Sequence, residues 1–224
     1  FAAVGCLFRC IDLKGRVIEN IDWPNGIKKI IYSSITGFCP LGHPGTMYKK
    51  NAVIEVGCYD KNYHACEDYE LWLRLLANGY KINNLSEYLL DYRKHKNQVS
   101  IKNREEQLTN HIKAFQSFYQ KLTRKQLKLD DAANYVDIFN FRKEIKNNHL
   151  SLILKTYNNL SRKILELHTL KNQRTYFDPL VINFIGKNLV NLSLFNILKS
   201  IANSKTSFFY ILKPLFVIFK TKFF

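Results

Sequence analysis

Glycine and proline are unevenly placed along this chain, and their placement limits what it can fold into. Eight of the nine glycines and three of the five prolines lie before residue 100. Glycine supplies left-handed backbone at turns, and proline removes a backbone donor, so both interrupt regular elements. Residues 1–100 are therefore cut into short elements joined by turns. Residues 101–224 contain little to interrupt a helix. Two regions are expected: an α/β region at 1–100 and a mostly helical region at 101–224.

Within the first region the apolar pattern alternates between strand and helix. Val4 to Ile11 is predicted as a strand, Asp12 to Gly15 as a turn and Arg16 to Ile21 as the returning strand of a hairpin. Trp23 to Gly26 reads as a loop and Gly26 to Tyr32 as a short helix. Phe38 to Gly45 is a loop rich in glycine and proline, and it leads into a short strand at Thr46 to Tyr48. Asn51 is placed to cap a helix running to Val56, with Gly57 placed to end it. The clearest helix opens on Glu67 and Asp68, where carboxylates favour the positive end of the helix dipole. Leu71, Trp72, Leu75 and Leu76 form its apolar stripe, and Asn78-Gly79 stops it. Trp72 reads as core on that stripe, with a sugar platform as the other reading. Arg74 stands four residues after Glu70, the spacing of an ion pair along a helix. A strand from Lys81 to Tyr92, broken near Asn83-Asn84, then leads to a basic loop from Arg93 to Asn97. Beyond it, helices are expected over about 101–122, 130–147, 149–170 and 179–203.

The net charge is +16, and its distribution is informative. Residues 1–100 hold 13 basic and 10 acidic side chains, whereas residues 101–224 hold 21 and 8. An excess of this kind suits an anionic surface: nucleic acid, acidic lipid or an acidic partner. The last segment, 208–224, mixes phenylalanine with lysine and is interrupted by Lys213 and Pro214. That composition suits a membrane interface or a docked terminal helix better than a span. Five cysteines, odd in number and without a C-x-x-C pair, read as reduced, mostly buried thiols in a cytosolic compartment. His64 and Cys66 lack a second pair at zinc-site spacing. The chain opens on Phe1 in a strand-like stretch, which predicts an N-terminal region ahead of it; a trimmed N-terminus is the other reading.

Four motifs follow one another between Gly42 and Ser100. They are His43-Pro44 ahead of a short strand that ends in Lys49-Lys50, then Val56-Gly57-Cys58-Tyr59-Asp60. Next come Glu67-Asp68 leading into Leu71-Trp72-Leu73-Arg74, and Tyr92-Arg93 with His95 closing towards Ser100. In this order they resemble the second half of the catalytic domain of family 2 glycosyltransferases, which have the GT-A fold. The resemblance covers roughly residues 1–100. It implies a partial, Rossmann-like GT-A domain with a mixed sheet, followed by a mostly α-helical C-terminal region.

The resemblance also implies a chemistry. Inverting glycosyl transfer needs a carboxylate that takes the acceptor hydroxyl's proton as its oxygen attacks the anomeric carbon. Asp68 is expected as that base, its pKa held down by the helix N-terminus, with Glu67 beside it on the acceptor. Without the resemblance, the two carboxylates read first as helix caps. His95 is expected to complete a metal site or to touch the leaving diphosphate, with Arg93 in the same loop also on substrate. His43 is expected to line the same cleft. Plain basic-loop and loop-histidine readings stay open for these residues. A divalent metal, Mg or Mn, is implied by the family, but the Asp-x-Asp motif that binds it does not occur in this sequence. Nor does a Gly-rich phosphate loop or a Gln-x-x-Arg-Trp signature.

The resulting expectation is an inverting enzyme using a nucleoside-diphosphate sugar and a glycan or lipid-linked acceptor, in cell-surface polysaccharide assembly. It would be cytoplasmic and peripheral at the inner face of the cell membrane. The chain would carry the acceptor side and be inactive alone. Two other readings remain: a basic membrane-surface or partner-binding helical protein with a vestigial catalytic fragment, and a nucleic-acid-binding module. The second leaves Glu67-Asp68 without a role and finds no recognisable nucleic-acid motif, so no nucleic-acid partner is expected.

Overall fold

The computed structural model describes residues 1–95, 98, 102–140 and 142–170. The helix expected over 179–203, the segment 208–224 and the loop residues Lys96 and Asn97 lie outside the described residues. The chain divides into two compact units, Phe1–Ala132 and Ala133–Phe224.

The first unit is built on a mixed sheet of four strands: β1 (Ala3–Ile11), β2 (Val17–Ile21), β3 (Met47–Tyr48) and β4 (Ile82–Arg93). β1 is apolar almost throughout, with Arg9 its one exposed residue, and that composition suits a strand covered on both faces. It occupies the centre. β4 runs parallel along one edge, from Ala3 opposite Ile82 to Ile11 opposite Arg93. β2 and β3 share the other edge, both antiparallel, β3 at Ala3 and Val4 and β2 from Phe8 to Ile11. The hairpin of β1 and β2 forms as the sequence predicts, with Asp12 at its turn accepting the Lys14 and Arg16 N–H groups.

The polar pair Asn83-Asn84 does not break β4. The Asn84 amide donates to the carbonyls of Pro24 and Pro40 at 2.8 and 2.9 Å. Asn83 Oδ1 accepts the Gly26 N–H at 2.7 Å. These asparagines satisfy loop backbone that would otherwise be stranded beside the sheet. The irregularity falls later, where the register of β1 against β4 shifts between Gly5 and Phe8.

Helices α1 (Ile27–Ile35), α2 (Lys50–Glu55), α3 (Glu67–Ala77) and α4 (Arg104–Thr123) complete the first unit, with the start of α5 (Leu129–Phe139). Leu71, Trp72, Leu75 and Leu76 are fully buried, as their stripe predicts, and each contributes about 1.5–3 kcal/mol by leaving water. Asn51 is not a cap: α2 begins at Lys50, with extended Lys49 as its N-cap and no side-chain bond. Gly57 follows its end at φ 97°, a conformation open to glycine.

In the second unit, α6 (Asn147–Leu167) buries Leu150, Ile153, Leu154, Tyr157, Leu160 and Ile164 at helical spacing. One helix was expected from 130 to 147, but α5 ends at Phe139. There the Asn140 amide caps the Val136 carbonyl at 2.8 Å, and the Arg142 N–H turns back to Asp137 O at 2.8 Å. An asparagine that bonds its own backbone competes with helix continuation. Among the described residues, no helix is long and apolar enough to cross a membrane.

Candidate active site

Glu67 and Asp68 form the first turn of α3, after the N-cap Cys66, whose side chain makes no capping bond. Asp68 takes over part of that task. Its Oδ1 accepts the Tyr69 N–H at 2.8 Å. Burial pushes the Asp68 carboxyl above the usual aspartate range, Glu67 adds to the rise, and the Tyr69 N–H and His43 oppose it. The helix terminus alone predicts the opposite direction. Desolvation disfavours the charged form, and here it outweighs the N-terminal amides. Glu67 Oε2 is buried without a hydrogen-bond partner. An orphan carboxylate oxygen is unusual in a folded protein.

The loop ahead of α3 is tightly held. Ala65 lies at φ 59°, a strained left-handed position for a residue with a Cβ. Two side chains of α4 fix it: Gln107 donates to Ala65 O at 2.8 Å, and Asn110 donates to His64 O at 2.9 Å. His111 stacks flat on Tyr69, with centroids 4.0 Å apart, and its Nε2 reaches Gly37 O at 2.7 Å. Sequence reasoning missed these buttresses. Their signal was Gln107, Asn110 and His111 on one face of a helix that otherwise repeats apolar residues there.

His43 reaches the site on a short turn, His43–Gly45, preceded by Gly42. That turn packs hard on β1. A Cβ on Gly42 would lie 2.3 Å from the Phe8 ring, and one on Gly45 would lie 2.6 Å from Cys6 Sγ. Only glycine allows the turn to sit this close to the sheet. His43 Nε2 hydrogen-bonds the Tyr59 hydroxyl at 2.9 Å. Its ring lies 5.7 Å from that of Tyr59 and 6.2 Å from that of Trp72. Tyr48 joins the same cluster, 6.4 Å from both Tyr59 and Trp72. Trp72 is fully buried, so it supports the aromatic cluster from beneath and presents no face to a ligand. Burial, the Tyr48 hydrogen bond and the nearby Asp68 and Glu67 push the Tyr59 phenol far above its usual range, so it stays neutral.

Two thiols lie in the same neighbourhood. Burial pushes Cys66 up to about 12, with Asp68 and Glu67 adding to the effect. Cys39 is also raised well above the usual range by burial and by Asp68, while its Sγ–H donates to Leu41 O at 3.1 Å. Neither is a thiolate at neutral pH, so neither is a nucleophile. All five cysteines are unpaired; Cys6, Cys10 and Cys66 are buried, Cys39 is half-buried and Cys58 is exposed.

Arg93 and His95 stand elsewhere on the unit. Arg93 donates to Asp12 O at 2.8 Å, at the tip of the hairpin. Lys94 pairs with Glu19 of β2. The His95 N–H meets Gln98 Oε1 at 3.4 Å. Among the described residues, no hydrogen bond or ion pair joins Arg93 or His95 to Glu67, Asp68 or His43. The structure thus brings three of the five candidates together. Nor do the described residues fit a divalent ion: no three His, Cys, Asp or Glu side chains gather as ligands. His95 itself follows Arg93 and Lys94, whose charges oppose a cation.

Residues 28–165 match the family Glycosyltransferase like family 2. The matched span runs past the four motifs, through α4 and α5 and into α6. Among similar curated proteins is the O-antigen biosynthesis glycosyltransferase WbnJ of Escherichia coli, 35% identical over 98 residues, 41% of this chain and 36% of the relative. Another Escherichia coli protein is UDP-Gal:alpha-D-GlcNAc-diphosphoundecaprenol beta-1,3-galactosyltransferase, 36% identical over 102 residues, 46% of this chain and 32% of the relative. The bifunctional glycosyltransferase pgtA of Dictyostelium discoideum is 32% identical over 108 residues, 46% of this chain and 14% of the relative. The chain therefore spans about a third of the length of the first two relatives. No solved structure matches it.

Proposed function

This chain belongs to the glycosyltransferase like family 2, and on that premise we propose that it forms the acceptor side of an inverting glycosyltransferase. The donor is a nucleoside-diphosphate sugar, and the acceptor is a glycan or lipid-linked sugar of cell-surface polysaccharide assembly. The names of the relatives, O-antigen biosynthesis and a diphosphoundecaprenol acceptor, support this substrate class. The enzyme works in the cytoplasm, peripheral to the inner face of the cell membrane. The single observation that carries the reading is the carboxylate pair at the head of α3: Asp68 half-satisfied and Glu67 with an orphan oxygen.

Asp68 is the base. Its Oδ1 is fixed by the Tyr69 N–H, which leaves Oδ2 to take the acceptor's hydroxyl proton. The freed oxygen attacks the anomeric carbon from the face opposite the departing diphosphate, and the C–O bond to that diphosphate breaks. A raised pKa makes Asp68 a better proton acceptor once ionised, which is what general base catalysis asks for. His43 and the Tyr69 N–H oppose part of that rise. The Glu67 Oε2 accepts a hydrogen bond from a second acceptor hydroxyl and orients the sugar. The charge of the leaving diphosphate would be met by a divalent ion where the family uses one, and the described residues of this chain do not form a site for it.

The stereochemical outcome tests this function. With the chain joined to a donor-binding half, the new glycosidic bond should have the anomeric configuration opposite to the donor's, read from its proton coupling constant. A product with retained configuration would contradict a single-displacement base at Asp68. The isolated chain, supplied with nucleotide sugars and Mg or Mn, should give no transfer.

A further inference from the structure

A cleft of about 640 Å³ is lined by residues of α3, α4 and the Val56–Tyr63 segment, within the first unit. Its size falls within the range of small-molecule sites, roughly 300–1,000 Å³. One wall is the α3 face carrying Glu70 and Arg74, a second is the α4 face carrying Ser117 and Lys121, and the third is the Val56–Tyr63 segment. Its charges do not cancel evenly. Glu70 is engaged by Arg74 through two bonds of 2.8 and 2.6 Å, and both side chains are nearly buried. Asp60 accepts the Asn62 N–H at 2.9 Å and caps a short turn. Lys61 and Lys121 form no ion pair among the described residues. Burial and the nearby Arg74 and Arg124 hold Lys121 below the usual lysine range, although Glu70 opposes them. It is a cation short of negative partners.

We propose that this cleft is a second binding site, for an anionic group of the acceptor: a phosphate or a carboxylate held by Lys61 and Lys121. The proposal rests on the glycosyltransferase reading and names the part of the acceptor that the Asp68 site does not contact. Tyr59 links the two places. It lines the cleft, and its hydroxyl bonds His43, which itself acts on Asp68. Tyr59 thus belongs both to the cleft wall and to the aromatic cluster beside Asp68. Tyr59 and Tyr63 offer faces to the connecting sugar, and Asn62 offers a polar group, while Ser117 hydrogen-bonds Tyr63. Lys61, Arg74 and Lys121 outnumber Asp60 and Glu70 by one charge, and that excess favours an anion over a neutral sugar, because each charge-assisted bond is about twice as strong as a neutral one.

The test is equilibrium binding to the purified full chain, with inorganic diphosphate, glucuronate and glucose as separate probes. Diphosphate or glucuronate should bind, and the tighter of the two identifies the anion as phosphate or carboxylate. Lys61→Ala and Lys121→Ala should each weaken it on the order of tenfold, and the conservative Lys121→Gln should weaken it equally. Lys14→Ala, on the hairpin, should change nothing. Equal affinity in the Lys61→Ala/Lys121→Ala double variant would overturn the proposal, as would glucose binding as tightly as the anions, or neither anion binding. Asp68→Asn should leave this binding intact. Lysine-dependent binding without any glycosyl transfer in the completed enzyme would keep the cleft and overturn the function, so the two failures are distinguishable.

Discussion

Arg74 is the residue whose loss should destabilise the first unit most visibly. Its guanidinium holds both oxygens of Glu70, at 2.8 and 2.6 Å, and donates to the carbonyls of Val56 and Cys58. The side chains of Arg74 and Glu70 are only 15% and 10% exposed. Replacing Arg74 with methionine keeps the apolar stem but strands a buried carboxylate, which costs about 3–5 kcal/mol. Total stabilities run to about 5–15 kcal/mol, so this is a large share. For a chain of this size it amounts to a fall of roughly 6–20 °C in thermal midpoint. Thermal unfolding followed by circular dichroism at pH 7 measures it. The double variant Glu70→Leu/Arg74→Met removes the stranded charge as well, while leaving the two carbonyls unpaired. It should recover about 2 kcal/mol of the loss. A shift under about 2 °C for Arg74→Met, or a double variant no better than the single, would refute the assignment of the cost to buried charge. Arg74 also anchors the segment that carries Tyr59, so the Arg74→Met variant should show a loosened Tyr59–His43 contact before it unfolds.

Two further outcomes follow from the same physics. Burial raises the Asp68 carboxyl in the folded state, so its ionised form costs stability at neutral pH; each tenfold weakening of the acid on folding corresponds to about 1.4 kcal/mol. A raised folded pKa gives stability that is fully present below the unfolded value, near 3.9, and is lost as pH rises through the folded one. Asp68→Asn should therefore raise the thermal midpoint at pH 7 and leave it unchanged near pH 3.5; a lowered midpoint at pH 7 would count against the burial effect. The second concerns residues 208–224, where phenylalanine and lysine are interspersed. Vesicles containing anionic lipid should co-sediment the full chain and lose most of it when that segment is removed, and equal binding by both forms would take the segment out of the membrane argument.

Much of the first unit was legible in the sequence because its elements are short and sharply punctuated. The hairpin, the α3 stripe and the Glu70–Arg74 pair all follow from local spacing, and local spacing is what a sequence displays. The misreadings share one physical cause, competition from distant groups. Asn83-Asn84 looked like a strand break because the carbonyls of Pro24 and Pro40, 60 and 44 residues from Asn84, are invisible in a local pattern. Asp68 was expected to be acidified by its helix, yet the packing around it desolvates it. Arg93 and His95 were expected from motif order alone, and among the described residues Arg93 bonds the turn of the β1–β2 hairpin and His95 meets Gln98. The α4 buttresses were missed because their partners are backbone carbonyls of a strained loop, which leave no compositional trace.

The central claim, that Asp68 is the base, is tested most directly by turnover of the Asp68→Asn variant in the completed enzyme. Asparagine keeps the acceptor oxygen for the Tyr69 N–H and the same volume, so the helix start is preserved while the proton acceptor is lost. The account predicts a fall in kcat of about 10²–10⁴-fold with KM for the acceptor little changed. A kcat within a few-fold of the unsubstituted enzyme's would contradict it.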